Sequence, residues 1–110
     1  MRPAVSDIEL RAFRGTRKSA VYRDHTLHRA AFERIVAAAR DAHLSTLAEL
    51  DPSDTRELDK RAARRLAEEV TRLRTSAALL ELDDDLTEIA AVANWCARAN
   101  ERSWLLIHPF

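Results

Sequence analysis

Residues 54–82 carry one apolar stripe that decides how most of this chain is expected to fold. Its members step by four or three positions throughout: Leu58, Ala62, Leu66, Val70, Leu73, Ala77 and Leu80. That spacing places every member on one face of an α-helix. Asp54 and Glu57 stand directly ahead of the stripe, as acidic residues do at the start of a helix. The pattern therefore predicts a helix from Asp54 to Leu82, whose apolar face requires a covering surface.

Two further segments begin with the same kind of signal. Ser6 and Glu9 have the capping-box spacing, and Gly15, the only glycine, is placed to end a short first helix. Asp85 and Glu88 precede the apolar run of a last helix. Both segments are therefore expected to be helical.

A long second helix is expected between these signals. It begins at Thr16 or Ser19 and runs to Leu50, because the residue before Pro52 is disfavoured in helical conformation. Short connections and the lack of alternating β-branched stretches leave no evident sheet. The predicted fold is all-α: a small bundle of about four helices in a single domain, residues 1–110. A long antiparallel hairpin of the second and third helices about residues 51–53 dominates it.

Composition limits the class of protein. Apolar residues make up 46% and charged residues 33% of the chain, which predicts a soluble globule without membrane association. No signal peptide is evident at Met1, and the single Cys96 fits a reducing compartment, so a cytoplasmic location is expected. Eighteen basic and eighteen acidic residues cancel, which argues against affinity that depends mainly on neutralising phosphates.

The sequence offers little for catalysis or for cofactors. One glycine cannot build a phosphate-binding loop, and His25 and His28 have no second pair of ligands with which to complete a zinc site. Cys96 has no neighbouring base on its helix. We therefore expect no cofactor and no metal.

The C-terminal third carries more apolar surface than a small bundle can cover. The residues expected to bind a partner are Trp95, Trp104, Leu105, Ile107 and Phe110. The same tail can instead pack back across the bundle. This surplus predicts a non-enzymatic protein–protein interaction module: an adaptor, an immunity or antitoxin-type protein, or a regulatory subunit. Its partner would be another protein, itself as a homodimer, or both.

A basic N-terminal segment allows another function, a regulator that binds nucleic acid. Its cations are Arg11, Arg14, Arg17, Lys18, Arg23 and Arg29. Such a patch can follow a phosphate backbone. The alternative is that these cations are balanced by the acidic residues between Glu81 and Glu88.

A short motif allows an enzymatic alternative. Arg23, Asp24 and His28 read Arg-Asp-x-x-x-His, which resembles the signature of the HEPN ribonucleases, small all-α proteins whose active site forms across a dimer. The resemblance implies that Arg23 and His28 act on the ribose 2′-hydroxyl and the scissile phosphate, with Asp24 beside the arginine. A histidine and an arginine are suited to proton transfer and to holding phosphoryl charge, respectively.

Overall fold

A computed structural model describes residues 7–14, 21–99 and 102–109, and their fold is α+β. The elements in chain order are strands β1 (Asp7–Arg14) and β2 (Val21–His28), helices α1 (Arg29–Asp41) and α2 (Ser45–Ala48), strand β3 (Arg56–Asp59), helix α3 (Lys60–Leu73), a 3₁₀ helix (Ala77–Leu82), helix α4 (Asp83–Arg98) and strand β4 (Ser103–Pro109). The strands form one antiparallel sheet in the order β2-β1-β4-β3. The prediction of an all-α helical bundle is therefore wrong.

The first strand occupies the segment expected to be the first helix. Ile8, Leu10 and Ala12 are buried on one side of β1, while Glu9 and Arg11 lie on the other. We call the side with Ile8 the inner face of the sheet and the opposite side the outer face. This alternation has the period of a strand. Glu9 is thus a strand residue and not part of a helix cap, while Ser6 and Gly15 lie outside the described residues.

The apolar run near the C-terminus is the inner strand β4. It pairs with β1 on one side and β3 on the other, so that Leu105 lies opposite both Ala12 and Leu58. Leu105 and Ile107 face inward and are 0% and 3% exposed. A strand with neighbours on both edges and a helical layer on one face needs apolar side chains, which explains the run.

The third predicted helix is divided into three pieces. Only Lys60–Leu73 is α-helical, and Asp59 is its cap: the Asp59 carboxylate accepts the backbone N–H of Ala62 at 2.8 Å. Leu58 lies in β3 and joins the helical stripe only because it stands four residues before Ala62. Beyond Leu73 the chain forms the 3₁₀ helix, where Leu80 is 75% exposed.

The second predicted helix is also divided, and the helical hairpin does not form. The chain is extended from Val21 to His28 and helical from Arg29 to Asp41. It then turns sharply at His43, whose φ is 59°. There the N–H of Leu44 donates to the carbonyl of Ala39 at 2.8 Å, closing α1 as a Schellman motif. The predicted starts at Thr16 and Ser19 lie outside the described residues.

The helices cover the inner face of the sheet. α3 and α4 pack against each other, and α1 and α4 contact the first two strands. The core combines Leu10 and Leu105 of the sheet with Phe32 of α1, Val70 of α3 and Val92 of α4. α4 begins at Asp83, close to the predicted position, and its Asp85 lies 3.0 Å from the His25 ring of β2. The described helices therefore lie on one side of the sheet, and they do not cover its outer face.

Candidate binding site around Trp104

The outer face carries an ion-pair cluster at its centre. His108 of β4 lies opposite Glu9 of β1, and its Nε2 is 2.9 Å from Glu9 Oε1. The Nε of Arg11 is 3.5 Å from the same oxygen, yet it is buried and makes no hydrogen bond within the described part of the chain. Glu9 and His108 are only 19% and 24% exposed, so this pair is held more firmly than an ordinary surface pair.

Trp104 stands on the same face, towards the beginning of β4. It lies opposite Phe13 of β1 and Asp59 of β3 in the strand register. Phe13 is 2% exposed, whereas Trp104 is half-buried. Two positions before Trp104, the exposed Arg102 holds its guanidinium carbon 5.1 Å from the centre of the Trp104 ring. The two side chains form a cation–π pair at the sheet margin.

A cleft of about 650 Å³ lies beside this pair, where β3 passes into α3. We call it the Trp104 cleft; it is lined by Asp59, Lys60, Arg61, Arg64, Arg102, Ser103 and Trp104. Four of these side chains are cationic, and the one carboxylate, Asp59, already accepts the N–H of Ala62. The cleft therefore combines an aromatic ring with an excess of positive charge.

Each cation of the cleft is positioned differently. Lys60 donates its Nζ hydrogen to the carbonyl oxygen of Ala99 at 2.5 Å, which ties the start of α3 to the end of α4. Arg61 and Arg64 are exposed and stand three residues apart, so they share one side of the helix. Neither arginine has a carboxylate partner among the residues that the structure describes. Arg102 is held by Trp104.

The acidic residues near the start of α4 are, in contrast, largely paired within the chain. Asp83 meets Arg74 at 3.1 Å, and Glu88 meets Arg23 at 3.8 Å. The remaining pairs are Glu81 with Arg34 and Asp85 with His25. These contacts engage most of the acidic cluster, whereas Arg61 and Arg64 have no such partner in residues 7–14, 21–99 and 102–109.

The predicted partner-binding residues separate into different environments. Leu105 and Ile107 belong to the core and present no surface to a partner. Trp95 is half-buried on α4 and packs against that core. Trp104 lines the cationic cleft beside the start of α3, while Trp95 lines a separate depression that also contains two arginines. Phe110 lies outside the described residues.

The structure also separates the two functional residues of the Arg-Asp-x-x-x-His motif. All three motif residues lie on strand β2 and not on a helix. Arg23 contacts Glu88 on the helical side of the sheet, while His28 is 85% exposed and lies 3.4 Å from Asp7 on the outer side. Asp24 is exposed opposite Arg11. Since Arg23 and His28 point to opposite sides, this strand does not bring them to one phosphate.

The basic N-terminal segment does not form a continuous patch in the described residues. Arg11 is beside Glu9, Arg23 pairs with Glu88, and Arg29 lies 3.5 Å from Glu33 and donates to the Ser53 hydroxyl. The side chain of Arg14 is not described, and Arg17 and Lys18 lie outside the described residues.

The Cys96 side chain is buried beside Ser103. The Ser103 hydroxyl donates to the Cys96 carbonyl at 2.7 Å, and the Cys96 thiol faces the same hydroxyl at 3.5 Å. Burial raises the pKa of the Cys96 thiol, and this effect outweighs the lowering effects of Ser103 and Lys60.

Residues 7–14, 21–99 and 102–109 contain no cluster of three or more side chains suited to holding a metal. No helix within these ranges has the length and hydrophobicity of a membrane span.

Comparison of the chain with protein-family models, with curated proteins and with solved structures finds no match. Interpretation of the site therefore depends on its own geometry.

The predicted partner-binding residues include Trp104 but not the cations beside it. Lys60, Arg61 and Arg64 stand at the start of α3, where the sequence does not distinguish them from the other charged residues of that helix. Arg102 stands directly ahead of β4 and two positions before Trp104, a spacing that brings its side chain to the Trp104 ring. This spacing is informative only when residues 103–109 are known to form a strand.

Proposed function

We propose that this protein acts by binding another protein at the Trp104 cleft, where the margin of its sheet meets the start of α3. The observation that carries the proposal is the half-buried Trp104 beside the exposed Arg61, Arg64 and Arg102. Tryptophan and arginine are the residues most enriched among those that dominate interface energies, because they combine large contact area with directed hydrogen bonds. The ion-pair cluster around Glu9 lies further along the sheet, four positions from Trp104 on β4.

The partner that fits best is a different protein and not a second copy of this chain. A second copy would have to offer its own acidic cluster to the cleft. Four carboxylates of that cluster already contact basic side chains of the same chain, as described above. Docking a second copy would have to break those contacts. The expected homodimer remains a prediction that a crosslinked species of twice the chain mass would support.

A photo-crosslinking amino acid tests this proposal directly. Trp104 is replaced by a benzoyl-substituted phenylalanine, which keeps an aromatic ring at the site, and the protein is irradiated in its native cell. We expect a discrete adduct that contains one other protein. The matched control carries the same amino acid at Ala30, an exposed position on α1. Adducts of equal yield at both positions, or none at position 104, would contradict the proposal.

A further inference from the structure

The charge of the Trp104 cleft is not balanced locally. The whole chain has eighteen basic and eighteen acidic residues, yet the cleft is lined by four cations and one carboxylate. That carboxylate, Asp59, is engaged in capping α3. The positive potential of the cleft is therefore available to a ligand.

The cations also present suitable donor groups. Three of the four are arginines, whose planar guanidinium groups bind carboxylates and phosphates through two parallel hydrogen bonds. Arg102 is held against Trp104, so less side-chain freedom is lost when it meets a ligand. Arg61 and Arg64 project from the first turns of a helix that Asp59 caps. The donors thus stand on ordered elements around one cleft.

We infer that the Trp104 cleft recognises an acidic segment of the partner protein, rich in aspartate and glutamate, through Arg61, Arg64 and Arg102. This inference rests on the proposed function, because it names the chemistry of the partner at the same site. The aromatic ring packs against the aliphatic parts of that segment while the guanidinium groups bind its carboxylates.

One feature favours an acidic protein segment over a nucleic acid strand. Bases bind single-strand proteins by stacking on aromatic rings, and Arg102 already lies over the Trp104 ring. A short acidic segment needs only the cleft itself.

Calorimetric titration of the full chain with defined probes tests the inference. The probes are a short glutamate-rich peptide with blocked ends, its glutamine counterpart and a single-stranded DNA oligonucleotide of equal charge, all at low ionic strength. We expect binding of the glutamate peptide and none of the glutamine peptide. The double substitution Arg61→Glu with Arg64→Glu should weaken binding by about tenfold or more, because it reverses charge at the contact.

A matched control uses arginines on the same helix. Arg65 and Arg72 are also exposed on α3, but they line a different depression, so Arg65→Glu with Arg72→Glu changes the net charge equally without touching the cleft. This control should retain at least half of the affinity. Equal weakening by the two double substitutions, tighter binding of the oligonucleotide than of the peptide, or no binding of the peptide would each overturn the inference. Tryptophan fluorescence in a Trp95→Phe background locates the peptide at Trp104, the remaining tryptophan.

One further experiment distinguishes failure of this inference from failure of the proposed function. The charge-reversed cleft is combined with the photo-crosslinker at position 104. Loss of the cellular adduct supports an acidic contact. Persistence of the adduct leaves the protein-binding function intact and overturns the acidic segment. Native-like circular dichroism and unfolding midpoints of both double variants confirm that any loss arises at the surface.

Discussion

Glu69 of α3 caps the short helix α2 by accepting the backbone N–H of Leu47 at 2.8 Å. Its second carboxylate oxygen accepts the N–H of Thr46 at 3.1 Å. The first N–H groups of a helix have no partner within the helix, and here a side chain of another helix supplies one. Residue Leu44, which precedes α2, cannot do so with its own side chain. The contact therefore joins α2, with the buried Leu47, to the helical layer.

Replacing Glu69 should measure how much this cap contributes to the free energy of unfolding. Glu69→Ala leaves two backbone N–H groups without their acceptor and should lower the free energy of unfolding by about 1–2 kcal/mol. Glu68→Ala is the matched control, since Glu68 is the exposed neighbour on the same helix. Denaturant unfolding of both variants provides the comparison. Equal losses would mean that helix propensity, and not the cap, explains the effect.

The helical layer was partly predictable because its signals are local. Leu66, Val70 and Leu73 have the correct spacing in α3 and are buried, and the run of aspartates before Leu86 marks the start of α4. These patterns depend on neighbours within four residues. The start of α3 is predicted too early, because Leu58 happens to continue the helical spacing into a strand.

The sheet could not be predicted from such local signals. The alternation in β1 involves only Ile8, Leu10 and Ala12, and the capping-box spacing before it favoured a helix. β4 is apolar on both faces at Trp104–Ile107, so it shows no alternation at all. Its partner β1 is far away in the chain: paired residues are separated by 89 positions (Arg14 and Ser103) to 101 positions (Ile8 and Pro109). Strands so far apart in the sequence pair only when the chain adopts its tertiary structure. The same tertiary structure brings Arg61 and Arg102 to one cleft.

His43 provides a second test of local structure. It is the residue after the C-cap of α1 and has a φ of 59°, a region that costs a residue with a Cβ about 1–2 kcal/mol. His43→Gly should therefore raise the free energy of unfolding by about 0.5–1 kcal/mol, after the greater entropy of glycine in the unfolded chain is subtracted. Thermal or denaturant unfolding would detect this gain.

The control for His43 lies one residue earlier. Ala42 has a φ of −91°, so Ala42→Gly relieves no strain and should destabilise the protein by about 0.5–1 kcal/mol. A loss of stability in both glycine variants would show that the turn does not depend on the left-handed conformation.

Cys96 should make stability depend on pH in the alkaline range. Burial raises its pKa in the folded protein, so the unfolded chain loses the thiol proton first, near its usual pKa of about 8.5. The stabilising contribution is complete below that pH and is lost as pH rises through the folded pKa, because the unfolded state then binds fewer protons. Denaturant unfolding at pH values from neutral to alkaline measures the decline.

Cys96→Ala separates this effect from the titration of other groups. The variant loses some packing at every pH, but its stability should fall less steeply above the unfolded thiol pKa than that of the natural chain. Parallel curves for the two proteins would show that the thiol titrates equally in both states. Alkylation offers a second measurement, since the fully buried thiol should react with iodoacetamide only when the protein unfolds.

The contact between Glu9 and His108 should be energetically coupled because both side chains are largely shielded from water. A double-mutant cycle with Glu9→Ala and His108→Ala is expected to give a coupling free energy of about 0.5–2 kcal/mol. Glu9→Ala alone should cost more than His108→Ala, since it also removes the carboxylate beside the buried Nε of Arg11.

The cycle of Asp7 and His28 is the matched control. These residues also face each other across β1 and β2, at 3.4 Å, but His28 is 85% exposed. Water screens such a pair, so its coupling should lie near zero. Measurement of both cycles by denaturant unfolding then isolates burial as the cause. Similar coupling in the two cycles would mean that burial does not strengthen the contact between Glu9 and His108.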